Sequence, residues 1–118
     1  MDVMFVYFTA GDAAEARRIG RAVVEERLAA CANIIDKMTS IYWWDGKVQE
    51  AGEAVLILKT TEGRLAMLVE RVQALHSYDC PCIEAMAVTG GYSPFLDWVA
   101  QETQISSAGD VDGLSDGG

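Results

Sequence analysis

The chain has 118 residues, of which 51% are hydrophobic and 23% charged, so its length suits one domain and its composition excludes a disordered chain. Its formal net charge of −9 excludes nucleic acid and anionic membrane surfaces as expected partners, because both attract positively charged surfaces. The longest apolar runs are far shorter than the roughly 18 residues of a membrane span. Three cysteines do not suit a disulfide framework, and we expect reduced thiols in a cytoplasmic protein.

The first two predicted elements are a strand and a helix. Residues 3–9 are almost all apolar or β-branched, which is typical of a strand that is buried on both faces and central in its sheet. Asp12 followed by Glu15 has the pattern of a helix N-cap with a capping box, and apolar residues then recur at helical spacing as far as Leu28. Gly20 lies on this apolar stripe, so we expect the helix to approach a strand closely there.

A long β-hairpin is the next predicted feature. Asp45-Gly46 is the dipeptide that accepts positive φ at both central positions of a type I′ turn, so residues 41–44 should pair with residues 47–50. The returning strand continues through residues 54–60, which are again apolar on both faces. Each arm then has up to about fourteen residues against a typical strand of about 5–6, so part of the hairpin should project beyond the sheet.

A helix, a strand and a short helix complete the predicted order. Thr61 can cap a helix whose apolar residues share one side and which ends near His76. The last strand is predicted at residues 83–89, and a short helix follows from Ser93, with proline in its first turn. Residues 105–118 are rich in Gly, Ser and Asp, which predicts an acidic, disordered tail outside the domain.

The order β-α-β-β-α-β followed by a helix predicts an α+β fold for residues 1–104. With right-handed crossovers it gives the ferredoxin-like split βαβ sandwich, in which two helices cover one face of an antiparallel sheet. The other face is then open, although two of its strands are apolar on both faces. A second subunit is the simplest cover for that face, with the long hairpin as a contact arm, so we predict a closed cyclic homo-oligomer.

The residues that could carry chemistry favour a metal ion over catalysis. One histidine, no serine in a nucleophile-elbow context and no glycine-rich phosphate loop give little support to an enzyme. His76, Cys80 and Cys82 are ligand types that copper and zinc take, and a Cys-x-Cys spacing on an extended segment places both sulfurs on one side. The alternative is that the two thiols are small core residues and His76 caps a helix C-terminus. Cys31 is expected to be a packing residue.

Two further features concern a ligand and a partner. Lys59 ends a buried strand, where a lysine needs either a carboxylate of the chain or a bound anion. Tyr42, Trp43 and Trp44 lie near the hairpin tip, and at most two of them can share a face of the strand. A contact between subunits explains these aromatic residues better than a ligand cage.

Several motifs together resemble the CutA divalent-cation tolerance proteins, in order from residue 3 to about residue 103. The resemblance is carried by Thr9-Ala10 with Asp12 and by residues 26–34, 40–47, 58–61, 76–81 and 92–98. It implies a ferredoxin-like subunit similar to the PII signalling proteins, a stable homotrimer, and a response to divalent metal ions with copper binding. No enzyme activity comes with the resemblance.

Position by position, the resemblance transfers only part of the family's copper site. The histidine of the family matches His76, whereas two other positions that ligate copper in some members are Phe8 and Leu75 in this chain. The family usually has a glutamate where this chain has Cys82. Cys80 and Cys82 could therefore supply a different and softer site.

Three functions follow as hypotheses. The first is a non-enzymatic, trimeric CutA-like protein that binds copper or another divalent metal ion near His76. The second is a PII-like signalling module whose clefts between subunits bind a small anion near Lys59, His76 and Tyr78. The third is a structural or anchoring trimer without a ligand.

Overall fold

The elements follow the order β-α-β-β-α-β-α within residues 2–104, the part of the chain that the computed structural model describes. They are β1 Val3–Ala10, α1 Ala13–Glu25, β2 Cys31–Trp44, β3 Lys47–Thr61, α2 Glu62–Leu75, β4 Glu84–Ala87 and α3 Ser93–Glu102. The tail predicted at residues 105–118 lies outside the described residues. Among the helices described, none is long and apolar enough to cross a membrane.

The four strands form one antiparallel sheet in the order β2-β3-β1-β4, which is the predicted ferredoxin-like topology. The apolar strand β1 is central, as its composition predicts, and lies between β3 and β4. Side chains from alternate positions of β1 and β3 pack against α1 and α2 and form the main core. The largest fully buried side chains of this core come from the two strands and the two helices and are Val6, Phe8, Ile19, Leu56, Leu58 and Leu68.

Helix α1 begins and packs as the sequence predicts. The Asp12 side chain accepts a hydrogen bond from the backbone N–H of Glu15 at 2.8 Å and so caps the first turn. A Cβ atom on Gly20 would lie 3.2 Å from the Cβ of Ala32 and 3.4 Å from Cδ2 of Leu56. Glycine at this position therefore lets the helix lie close against β2 and β3.

The hairpin has the predicted turn and length. Asp45 and Gly46 both have positive φ, 53° and 75°, as a type I′ turn requires. Strand β2 has 14 residues and β3 has 15, and in residues 39–52, the distal hairpin, no residue is buried. A bulge interrupts the pairing of the two strands between Ile35 and Met38, where Lys37 takes a left-handed backbone with φ 60°.

The sheet face away from α1 and α2 is only partly covered in the single chain, and we call it the open face. It carries Phe5, Tyr7, Thr9, Glu53, Val55, Ile57 and Lys59. Thr9 and Val55 are buried, and the other five residues are half-buried. Helix α3 covers only one end, where Val99 packs with Val3 and Ala30 in a small second core. The C-terminal end of α3 is held there by Arg64, whose Nε donates to the carbonyl of Thr103 at 2.7 Å.

Two local predictions need correction. Strand β4 is shorter than the predicted strand at residues 83–89 and is exposed throughout, because it pairs only with residues 4–7 of β1 at the edge of the sheet. Thr61 stands at the N-cap of α2 without a side-chain capping bond. Its hydroxyl instead lies 3.4 Å from the hydroxyl of Thr103, so it links α3 to the sheet.

Candidate functional site

A carboxylate with three hydroxyl donors lies at the base of the hairpin. The Glu53 side chain on β3 accepts hydrogen bonds from Tyr78 at 2.6 Å, from Thr9 at 3.1 Å and from Ser40. The Thr9 hydroxyl also lies 3.3 Å from Sγ of Cys82. We call these five residues the Glu53 cluster; they come from β1, β2, β3 and the loop between α2 and β4.

The bulge in β2 explains why these side chains meet. Directly paired residues of neighbouring antiparallel strands share a face, and Glu53 pairs with Met38, the first pair beyond the bulge. Before the bulge the odd-numbered residues of β2 share the face of Glu53, and after it the even-numbered residues do. Ser40 therefore lies on the open face beside Glu53.

The environment of Glu53 lowers its pKa. Burial by itself raises the pKa of this carboxyl, but the three hydroxyl donors favour the charged form and leave the pKa below its ordinary value of 4.5. Burial and the hydrogen bond to the Glu53 carboxylate together raise the pKa of Tyr78. At neutral pH the cluster therefore contains one carboxylate and a protonated phenol that donates to it.

His76 is buried next to this cluster with both ring nitrogens in use. Its Nε2 lies 2.7 Å from the carbonyl oxygen of Thr9, to which it donates, and its Nδ1 accepts the backbone N–H of Tyr78 at 3.0 Å. The ring lies between Phe8 and Tyr78, with centroid distances of 5.9 Å and 4.6 Å. These contacts define the neutral tautomer with the proton on Nε2. A metal ion at either nitrogen must replace one of these two hydrogen bonds.

Glu15 ties the same loop to α1. Its carboxylate accepts from the backbone N–H and the hydroxyl of Ser77, at 2.8 Å and 3.0 Å, and from the backbone N–H of Gly11 at 3.0 Å. Burial raises the pKa of Glu15, but these hydrogen bonds outweigh burial and lower it. The loop after α2 is thus held by two ionised carboxylates, Glu15 and Glu53.

The three predicted metal ligands do not form a ready-made site. Cys80 and Cys82 are both exposed and free, whereas His76 is buried. Across residues 2–104, no three side chains of His, Cys, Asp or Glu are grouped so that they could hold a metal ion. A metal-binding role for these residues stays a prediction. Cys31 is half-buried on β2 and is paired with Lys59 across the strands.

Lys59 lies at the far end of the open face from the Glu53 cluster. It lies six positions after Glu53 on β3, a distance of about 20 Å along an extended strand. Its Nζ donates to Oδ1 of Asn33 at 2.6 Å and lies 5.9 Å from the ring centroid of Phe5. In one chain Lys59 therefore does not meet Tyr78 or His76, and a shared ligand site for them stays a prediction that needs a second subunit.

Glu53, Thr9 and Ser40 were not predicted as site residues from the sequence. One feature of the sequence does point to Glu53. It is a carboxylate directly before the buried run of β3, and its odd-numbered position places it on the same face of the strand as Lys59. The sequence does not show on which face of β2 Ser40 lies. The bulge decides that, and no glycine or proline marks the bulge.

Acid should weaken the fold through Glu53. Because its pKa is lowered in the folded chain, its stabilising contribution is fully present above pH 4.5 and is lost as the pH falls through the lowered value. Glu53→Gln should reduce the free energy of unfolding at pH 7 by about 1–3 kcal/mol, the scale of hydrogen bonds to a charged group. The difference from the parent chain should shrink at pH 3, as measured by urea unfolding at one protein concentration.

Glu50→Gln is the matched control, since Glu50 lies exposed on the same strand. It should change the free energy of unfolding by less than about 0.5 kcal/mol at either pH. A loss in Glu53→Gln that is equal at pH 7 and pH 3 contradicts an ionised, hydrogen-bonded carboxylate.

The topology and the site define a small α+β protein with a ferredoxin-like sheet and a projecting hairpin that is bonded to the loop after α2. The sequence profile of the CutA1 divalent ion tolerance protein matches residues 4–102. The divalent-cation tolerance protein CutA of Archaeoglobus fulgidus is 40% identical over 100 residues, covering 85% of this chain and 97% of its own length. The corresponding protein of Thermus thermophilus is 49% identical over 88 residues, which are 75% of this chain and 85% of that protein. The chain belongs to the CutA1 divalent ion tolerance family.

Solved structures agree with this assignment. The CutA1 structure from Thermus thermophilus has a TM-score of 0.84 and 44% identity, with coverage of 86% of this chain and 99% of that one. CutA1 from Oryza sativa has a TM-score of 0.86 and 38% identity, covering 88% and 95%. The chloroplastic protein CutA 1 of Oryza sativa is 41% identical over 101 residues, 86% of this chain. The chain spans 57% of that relative's length and 54% of the mouse protein CutA.

Proposed function

We propose that this chain is a non-enzymatic divalent-cation tolerance protein that responds to metal ions by binding copper at residues 76–82. Family membership supports the tolerance role, since relatives such as that of Archaeoglobus fulgidus carry that name. The observation that carries the copper proposal is the exposure of two thiols, Cys80 and Cys82, in one short segment.

The donor set favours a soft metal ion. Thiolates bind soft ions such as Cu(I), the form of copper in the reducing compartment that we propose, while the ring of His76 already has a partner at each nitrogen. Cys80 and Cys82 are therefore the first ligands in this proposal, and His76 joins them only if it gives up the carbonyl of Thr9 or the N–H of Tyr78. Free thiols also support the proposed cytoplasmic location.

Cu(I) competition with a chromophoric chelator tests the proposal. The reduced parent chain should withdraw Cu(I) from the chelator, and Cys80→Ser combined with Cys82→Ser should weaken binding by at least about 100-fold, because both thiolates are lost. The half-buried Cys31 provides the matched control, and Cys31→Ser should keep the parent affinity. Equal affinity in the double variant and the parent chain overturns the assignment to these thiols.

We also propose that the functional unit is a homotrimer. Large apolar side chains of the distal hairpin are exposed in the single chain, with exposed fractions of 68% for Ile41, 74% for Trp43 and 59% for Val48. Contiguous exposed apolar surface of this kind marks a contact site for another protein. A closed ring of identical subunits can bury the hairpins and the open face together without leaving a free copy of either surface.

One observation favours the second function, a PII-like module that binds a small anion. Within residues 2–104, Lys59 makes no ion pair with a carboxylate, and its partner is the neutral side chain of Asn33. Thermal-shift measurements with carboxylates and phosphates on the parent chain and on Lys59→Met separate the two functions. Stabilisation by an anion in the parent chain alone favours the anion module, and its absence leaves the copper proposal.

A further inference from the structure

The segment that carries the two exposed thiols is bonded directly to the base of the hairpin. Tyr78 lies between Cys80 and α2 in the sequence, and its hydroxyl donates to Oε2 of Glu53 at 2.6 Å. The Thr9 hydroxyl reaches the same Oε2 at 3.1 Å and Sγ of Cys82 at 3.3 Å. Two short paths therefore join the loop to one carboxylate oxygen on β3.

Glu53 lies at the point from which the hairpin leaves the body of the protein. It forms the first pair beyond the bulge, with Met38. No residue of the distal hairpin is buried. Among the described residues, the other side-chain hydrogen bond from the body to this part of the hairpin joins the Tyr7 hydroxyl and the sulfur of Met38 at 3.9 Å, a long and weak contact. Within one chain, the Glu53 cluster is thus the main polar attachment of the distal hairpin to the body.

The Thr9 hydroxyl can donate only one proton, which limits how the cluster can rearrange. The Glu53 carboxylate only accepts, so the hydroxyl donates to Glu53 and the thiol of Cys82 donates to the hydroxyl oxygen. A sulfur that carries a metal ion or an alkyl group has no proton to donate. Such a sulfur has two possibilities. It can accept the single hydroxyl proton of Thr9 in place of Glu53, or it can move away from β1 together with its loop.

We propose that ligation or modification of the Cys82 sulfur is transmitted through Thr9 and Tyr78 to Glu53 and loosens the attachment of the distal hairpin. For copper as the effector, this inference rests on the proposed function. Because the same hairpin carries the exposed aromatic residues, the state of Cys82 would regulate the surface that the trimer uses.

Hydrogen exchange of the distal hairpin tests this coupling without requiring copper. In the Cys31→Ser, Cys80→Ser variant, Cys82 is the one remaining cysteine. Iodoacetamide forms a sulfur–carbon bond there, iodide leaves, and the thiol proton passes to the buffer. Exchange of the backbone amides of residues 39–52 should rise by about 3- to 10-fold, which corresponds to the loss of one net hydrogen bond. The matched control is alkylation of Cys80 in the Cys31→Ser, Cys82→Ser variant. Exchange of residues 39–52 in this variant should be the same before and after alkylation.

A second pair of variants tests the path through Tyr78 in the unmodified chain. Tyr78→Phe should raise exchange in residues 39–52 by a similar factor, because it removes the hydrogen bond to Glu53. Tyr92→Phe should not, because Tyr92 is exposed and lies outside the hairpin. The proposal is overturned if alkylation of Cys82 raises exchange within its own variant by no more than alkylation of Cys80 does within the control variant, or if Tyr78→Phe matches Tyr92→Phe.

Copper separates this inference from the proposed function. Cu(I) that binds the parent chain through both thiols and leaves hairpin exchange unchanged overturns the coupling and retains copper binding. A rise in exchange on alkylation of Cys82, in a chain that fails to bind Cu(I), supports the coupling and contradicts the proposed function.

Discussion

Phe8→Ala is expected to lower the free energy of unfolding by about 3–5 kcal/mol, through lost apolar burial and the cavity that remains. Phe8 is fully buried on the central strand β1, opposite Leu56 of β3. Its ring also forms one wall for the His76 ring, with the centroids 5.9 Å apart. Urea unfolding at one fixed protein concentration measures the loss, since the stability of an oligomer depends on concentration.

The control for Phe8→Ala is Met67→Ala on α2. Met67 is 49% exposed, so its truncation removes little buried surface and should change the free energy of unfolding by less than about 0.5 kcal/mol. If Phe8→Ala costs no more than Met67→Ala, the packing of α1 and α2 on β1 and β3 is not the core that holds this chain together.

Trp43→Asp is expected to break the proposed trimer while leaving the subunit folded. Trp43 pairs with Val48 near the hairpin tip and is 74% exposed, so the single chain gains little from it. A buried tryptophan at an interface is commonly worth about 2 kcal/mol or more, and a ring of three subunits has three copies of it. The association constant of the trimer should fall by more than about 10⁴-fold, as sedimentation velocity over a dilution series measures.

Met67→Asp introduces the same charge at an exposed position of α2, outside the hairpin, and serves as the control. It should leave the association constant unchanged. Circular dichroism should show that both variants keep the secondary structure of the parent chain. If the association constant of the trimer is unchanged in Trp43→Asp, the subunit contact does not lie at the hairpin tip.

The fold could be predicted from the sequence because each step depends on local pattern. The Asp45-Gly46 turn requires only positive φ at two adjacent residues, and both have it. The apolar composition of residues 3–9 predicts a central strand, because a strand with neighbours on both sides and a layer on each face exposes little polar surface. The antiparallel order of the strands then follows from the element order and short connections.

The site was less predictable because residues distant in sequence create it. The hydrogen bond from His76 to the carbonyl of Thr9 spans 67 residues, and only the folded sheet shows that both ring nitrogens are hydrogen-bonded. Ser40 reaches Glu53 only because of the bulge in β2. The bulge moves the even-numbered residues of β2 to the face on which Glu53 lies. Lys59 needed a partner, as its position indicates, but Asn33 supplies an amide oxygen where a carboxylate or an anion was expected.

Native mass spectrometry of the reduced chain with Cu(I) measures the number of subunits and the bound copper in one experiment. We expect an assembly of three times the 12.8 kDa chain that carries copper, and loss of that copper in the Cys80→Ser, Cys82→Ser variant. A copper-free trimer, or a folded monomer of 12.8 kDa at micromolar concentration, would contradict a trimeric protein that responds to metal ions through its two exposed thiols.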